Sequence, residues 1–494
     1  LISQNLPALQ VVVPLLGAPV CFLLWRFHRA GWILATAISW ACLAMSITLV
    51  IEVWDGSELA YKFGGWAPPW GIEYRVDQLN VMVLLLVSLV AAVVLPYSWR
   101  SIEKEIEPTQ RPLFYTSLLL CLAGLLGITI TGDAFNLFVL LEISSLATYN
   151  LISMGRDRRA LTASFQYLIM GTIGATFILI GVGILYALTG TLNMADLSTR
   201  IAALGESRAL QAAFGFLVVG IGLKLAMFPL HLWLPNAYTY APSAVSAFVA
   251  ATATKVAVYV LIRFFYTIFG GSFSFSAMHV QWLLLPVSLF AIVFTSIVAM
   301  FQHNIKRMLA YSSVAQIGYM LLGISLLNVS GLTAALVHLF NHGLMKGALF
   351  LAMGALAWRL GDTSFKNLAG VGRRMPWTMG AFVVGGLSII GIPGTAGFIS
   401  KWYLIVAALE KDWWPVIVVI LVASLIAVVY IWRVVEIAFV SESPKNNVAV
   451  AEAPLSLLAP TWILAFSNIY VGVNSSIISQ LATGAATALM GGGV

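Results

Sequence analysis

Lys224, Lys255, Lys346 and Lys401 each fall inside an apolar run long enough to cross a lipid bilayer, and Glu142 stands inside a fifth. A charged Lys or Glu at the bilayer centre opposes insertion by about 2.5–3.5 kcal/mol, so five oppose it by on the order of 12–17 kcal/mol before any pairing. Groups kept against that cost mark ion or proton pathways. Glu142 and Lys224 can form a static interhelical pair, but one carboxylate does not neutralise four lysines. Either some of the lysines are neutral or water reaches them. A lysine whose charged and neutral forms lie close in free energy exchanges protons readily. His338, His342 and Lys346 follow at i, i+4 and i+8, on one stripe of one helix. Such a stripe can pack and hydrogen-bond, ligate a metal through its two imidazoles, or pass protons. No acid accompanies the histidines and Lys346 repels a cation, so the pattern favours a proton path and no metal.

These side chains need helices that are interrupted beside them. LKLAMFPLHLWLP holds Lys224 with Pro229 and Pro235, and GIPGTAGFISK holds Gly391, Pro393 and Gly394 ahead of Lys401. A proline removes a backbone donor and frees a carbonyl one turn back, so both helices are expected to break. In lipid, freed backbone groups persist only beside protein or a water-filled cavity, and paired broken helices are a signature of transporter repeats.

The chain around them has 494 residues, 61% hydrophobic and 9% charged, against roughly 25% charged in soluble domains. A mean hydropathy of +0.96 spread along the length points to an all-α polytopic membrane protein with about fourteen transmembrane helices. The spans are expected near 6–25, 31–53, 78–97, 113–131, 133–154, 161–188, 210–237, 243–269, 282–302, 307–327, 331–358, 377–409, 414–440 and 455–483. Loops after odd-numbered spans hold Arg26, Arg29, Arg100, Lys104, Arg111, Arg156, Arg158, Arg159, Lys306, Arg307, Arg359, Lys366, Arg373, Arg374, Arg433 and Lys445, sixteen of the 26 basic residues. The other side holds Lys62, Arg75, Arg200, Arg208, Arg263 and Lys411. The positive-inside bias then places both termini on the outer side of a cell membrane, and the net charge of +7 reads as orientation rather than affinity for nucleic acid. Cys21, Cys42 and Cys121 lie in apolar runs without CxxC spacing, and there is no Walker loop or dinucleotide fingerprint. No cofactor and no catalytic residue are expected.

The seventh and twelfth spans, both broken beside a lysine, run in opposite directions and are five spans apart. A five-helix unit repeated once is therefore inverted. This divides the chain into residues 1–110 (helices one to three with the outer loop 54–77), 111–270 (first repeat, helices four to eight), 271–440 (inverted second repeat, helices nine to thirteen) and 441–494 (helix fourteen).

The runs GLKLAMFPLHLWLPNAYTYAPSAVSAFVAATATKVAVYVLIRF at 222–264, NIKRMLAYSSVAQIGYMLLG at 304–323, HLFNHGLMKGALFLAMG at 338–354 and GIPGTAGFISKWYLI at 391–405, together with LFVLLEISSLATY at 137–149, resemble the antiporter-like subunits of respiratory complex I and of Mrp-type multisubunit cation/proton antiporters. The likeness covers about residues 75–440. It implies fourteen helices with two inverted five-helix repeats. It also implies a gating pair of Glu142 and Lys224, a relay through Lys255, His338 and Lys346, and a terminal exchange lysine at Lys401. A glutamate occupies that last position in the M-type subunits of complex I, so Lys401 points away from them. The wording of LEISSLATY and GTLNMADL, and the length, look most like the D-type subunit of Mrp antiporters.

The expected activity is proton movement through Glu142, Lys224, Lys255, His338, His342, Lys346 and Lys401, inside a complex with other membrane subunits that exchanges Na+ or K+ for H+. A hard cation needs several oxygen ligands, which this lysine-rich path does not offer, so it is expected to cross elsewhere. The rival expectations are a proton-pumping subunit of a redox-driven complex, of complex I N type or hydrogenase type, and a scaffold without transport.

Overall fold

The computed structural model describes residues 2–205, 207–441 and 451–491. Two helices, α1 (Ile2–Leu23) and α2 (His28–Glu52), lead to an antiparallel hairpin of β1 (Leu59–Lys62) and β2 (Glu73–Val76). The hairpin lies in the first large loop, for which the sequence pattern gives no strand. Next come α3 (Gln78–Glu105), α4 (Arg111–Ile130), α5 (Ala134–Ser153), α6 (Arg158–Thr189) and a short α7 (Met194–Leu204). The seventh span is α8 (Arg208–Leu225) and α9 (Trp233–Tyr240). It is followed by α10 (Ser243–Ile262), α11 (Gln281–Met300), α12 (Ile305–Ser325), α13 (Val329–Leu360) and a single turn, α14 (Val371–Arg374). The twelfth span is α15 (Pro376–Ile390) and α16 (Ala396–Leu409), and α17 (Trp414–Phe439), α18 (Leu455–Val473) and α19 (Ser476–Gly491) complete the chain. Among the described residues thirteen helices are long and apolar enough to cross a membrane. With the broken pair α15/α16 the fourteen expected spans are accounted for. The fourteenth ends at Val473, and the residues beyond it form α19, which packs on α3 and α13.

Helix starts follow their capping residues. Asp77 accepts from the backbone N–H groups of Leu79 and Asn80 while Asn80 Oδ1 accepts from Asp77 N–H, closing a capping box on α3. Asp133, Asp157, Asn304 and Asn328 cap α5, α6, α12 and α13. Each cap satisfies donors that lipid leaves unsolvated, an effect of about 1 kcal/mol in water. Hydrogen bonding from Arg159 holds the Asp157 carboxyl below its ordinary range.

Burial sorts the helices. The apolar windows of α10 and α12 are 94% buried and those of α6, α11 and α17 only 39%, so the first two form the axis and the others face outward. α13 lies between, against α10, α12 and α16.

Two stretches of the chain repeat one another's devices. α6 and α13 both have 32 residues and both stop on a left-handed glycine, Gly190 and Gly361. A bridge between Asp133 and Asn193 ties the start of α5 to the loop after α6, and one between Asn304 and Ser364 ties the start of α12 to the loop after α13. In each stretch the next span is the broken one.

Two basic residues expected in solvated loops are buried instead. Arg263 heads a π-helical extension of α10 (Arg263–Ile268) and bonds Asp77. Lys306, in the first turn of α12, donates to Ser243 Oγ and Ala241 O. Both sit at span ends, where a charge in the sequence looks the same whether it meets water or a buried partner. Lys445 lies outside the described residues.

Candidate functional site

Lys224 is in the last turn of α8, two residues before Ala226, whose φ of 59° ends the helix. Its ammonium donates to Ser145 Oγ at 2.8 Å and Glu142 Oε1 at 3.2 Å, both on α5. The lysine side chain is 5% exposed and the glutamate 25%, so the pair reaches from the interior to the lateral surface. Residues 226–232 are not helical, and Pro229 lies among them. Pro235 instead occupies the first turn of α9, where no intrahelical donor is required; it follows the break rather than making it. The Leu223 carbonyl, which also takes the Ala226 N–H, accepts from Trp233 Nε1 at 3.0 Å, and that indole stacks on Tyr167 with ring centroids 3.9 Å apart.

Deeper in the molecule, Lys255 of α10 is fully buried and donates to Ala250 O and Thr254 Oγ1. Across from it α13 carries the expected stripe. Lys346 donates to Leu309 O at 2.8 Å and Ser312 Oγ at 2.9 Å, and Ser312 Oγ also accepts from Tyr430. Lys255 lies within electrostatic reach of Lys346 and of both histidines. The helices come this close because Gly343 faces α10: a Cβ there would stand 2.9 Å from Ala251 O.

The rings of His338 and His342 are parallel, 6.0 Å between centroids. His338 Nδ1 shares a 2.8 Å hydrogen bond with Ser400 Oγ. His338 Nε2, both nitrogens of His342, Gln316 Oε1 and Asn341 Oδ1 are buried and make no protein hydrogen bond. Buried polar atoms of this kind are ordinarily satisfied by water. Next in sequence to Ser400 is Lys401, which donates to Ile389 O at 3.0 Å, Ile390 O at 2.9 Å and Ser424 Oγ at 2.9 Å. Those carbonyls are freed where α15 stops at Gly391, φ 89°. Pro393 and Gly394, φ 86°, complete the interruption. Among the described residues no three His, Cys, Asp or Glu side chains converge as a metal site.

The seven expected residues lie on helices that pack in series: α5 and α8 against α10, α10 against α13, and α13 against α16. What sequence reading missed are the hydroxyls: Ser145 at Lys224, Thr254 at Lys255, Ser312 at Lys346, Ser400 at His338 and Ser424 at Lys401, with Tyr430 behind Ser312. Ser145 stands three residues after Glu142 and Ser400 directly before Lys401, but serines are common in membrane helices and nothing in their spacing singles these out. A hydroxyl accepts from an ammonium and donates to a neutral amine or imidazole, so it serves either protonation state of its neighbour.

The family described as NADH:quinone oxidoreductase/Mrp antiporter, transmembrane, matches residues 131–427. The N-type subunit of the NADH-quinone oxidoreductase of Desulforudis audaxviator is 41% identical over 97% of this chain and 98% of its own length. The D-type subunit of the Na(+)/H(+) antiporter of Bacillus subtilis is 30% identical over 99% of this chain and 97% of its own. A chain in the solved Mrp complex of a Dietzia species superposes with a TM-score of 0.91 at 27% identity, covering 99% of this chain and 97% of that one.

Proposed function

Because the chain belongs to the NADH:quinone oxidoreductase/Mrp antiporter transmembrane family, we propose that it is the proton-translocating, antiporter-like subunit of a multisubunit Na+ or K+/H+ antiporter of the cell membrane. One observation carries this reading. Along the line Lys224, Lys255, Lys346, His338 and Lys401 each share a hydrogen bond with a hydroxyl, and His342 holds two buried nitrogens without a protein partner. That is the furniture of a proton relay and not of a solute pocket.

Protons enter beside the break in the seventh span and load Lys224. They pass by Lys255 and the His338, His342 and Lys346 stripe to Lys401, or travel in reverse. Glu142 gates the first step, since its distance from Lys224 sets how firmly that lysine holds its proton. Its partly exposed position on the lateral surface lets a neighbouring subunit act on it. The exchanged cation takes another route, through a neighbour or an interface, because this path offers one carboxylate among four lysines. Residues 111–270 and 271–440 form the two inverted units, and both termini lie on the outer side. Lys224→Ala or Glu142→Ala abolishes coupled transport in everted membrane vesicles while the complex still assembles. Normal transport in well-assembled variants would sink the reading.

The 41% identity to an N-type subunit favours a second reading, in which the same path is driven by electron transfer elsewhere in the complex. Purification of the intact complex separates the two: iron–sulfur subunits accompany the chain only if it is redox-driven.

A further inference from the structure

A cavity of ≈ 1020 Å³ opens on the face that carries the hairpin, and Asp77, Tyr259 and Arg263 are among its lining residues. Lys255, Tyr259 and Arg263 stand at i, i+4 and i+8 of α10 and its extension, so one helical stripe runs from the buried relay to the cavity. The cavity lining includes Tyr259 and Arg263 but not Lys255, which is wholly buried. Beyond Lys255 on this stripe, Tyr259 and Arg263 belong to a chain of bonds. Arg263 Nη2 meets Asp77 Oδ2 at 2.5 Å and Arg263 Nε donates to Tyr259 Oη at 3.0 Å. Tyr259 Oη in turn donates to Thr129 O at 2.7 Å. Asp77 is itself fixed, because Oδ1 caps α3. One guanidinium thus joins α3 to α10, and through Tyr259 to α4, at the floor of the cavity. Lys255 points the other way along α10, toward Ala250 O. By helical rise its Cα is about 6 Å from that of Tyr259, within the span of a lysine side chain that reverses direction.

We propose that the hairpin-face cavity is an aqueous vestibule serving Lys255, and that Arg263, held by Asp77 and Tyr259, is the seal between them. These residues are positioning groups: they decide whether Lys255 faces the vestibule or the His338 and His342 stripe. The inference rests on the relay reading above and gives it an access route at α10, in addition to those at Lys224 and Lys401. An extra opening onto one relay needs a seal, or protons leak through without coupling.

The test uses the assembled complex in membranes, with Cys21, Cys42 and Cys121 replaced by Ala and Lys255→Cys introduced. A small membrane-impermeant methanethiosulfonate is added to either face. With Arg263 present the thiol is protected from both faces. In Arg263→Ala, losing the charge-assisted bond speeds modification from the hairpin face by about tenfold. Asp77→Asn, which keeps a capping side chain on α3, gives the same direction and serves if the arginine variant fails to assemble. Equal rates with and without the seal, fast reaction with Arg263 intact, or modification only from the opposite face would overturn the proposal. Labelling reads access and not transport. A complex that labels as expected yet transports normally after Lys224→Ala therefore refutes the relay and leaves the vestibule standing.

Discussion

The two broken spans both lose their helix beside a lysine, but the lysines stand on opposite sides of the breaks and lean on different partners. Lys224 precedes its break and faces Glu142 and Ser145 on another helix. Lys401 follows its break and reaches back to the carbonyls of Ile389 and Ile390, with Ser424 as its third contact. The first lysine is held by a charge on a separate helix, which motion can bring nearer or take away. The second is held by the negative end of a helix dipole within its own span, a partner that moves with it. The proposed gate thus sits where the lysine's charged partner is on a separate helix, and the proposed exchange lysine where its partners belong to its own span.

That contrast is broken most easily at the carboxylate. Glu142→Gln removes a full charge 3.2 Å from Lys224 and lowers proton-coupled transport by about tenfold or more, since one pK unit of lost interaction is a factor of ten. Ser424→Ala removes only a neutral partner from Lys401 and lowers it by about threefold. Equal losses in everted vesicles would mean that the two ends do the same work.

Stability sharpens the comparison next. Gly391→Ala places a Cβ at φ 89° and 3.0 Å from Lys401 Cδ; the left-handed backbone alone costs about 1–2 kcal/mol, read as a lower melting temperature of the purified complex. The first break already carries an alanine in that conformation, Ala226 at φ 59°. Ala226→Gly therefore goes the opposite way, relieving up to about 1 kcal/mol, and a lower melting temperature would contradict it.

The most local effect is expected at Trp233→Phe. It keeps the stack on Tyr167 but loses the hydrogen bond to Leu223 O, at about 1 kcal/mol. Hydrogen exchange at residues 224–228 should quicken, with α15 and α16 unaffected.

The ionisable line was legible in sequence because lipid makes each of its members costly, so a lysine in an apolar run stands out on its own. The order of spans was legible for the same reason. The serines that receive the lysines were not, since a hydroxyl in a membrane helix is cheap when it bonds its own backbone, as Thr252 does to Phe248 O. Arg263 and Lys306 were misplaced because position relative to a span end decides nothing about burial; Asp77, far away in sequence, is what draws Arg263 inside. The short α7 and the separate α19 escaped notice because an amphipathic surface helix and the tail of a span share one composition.

At 1.5 Å per residue the 32 residues of α13 extend about 48 Å, well beyond a hydrocarbon core of about 30 Å. The helix is therefore long enough to pass through both interfaces of the bilayer, and it packs on α10 and α16. Because His338, His342 and Lys346 ride on this single beam, no one of them shifts alone. A roll of the beam about its own axis would carry all three together, toward one neighbouring helix and away from the other.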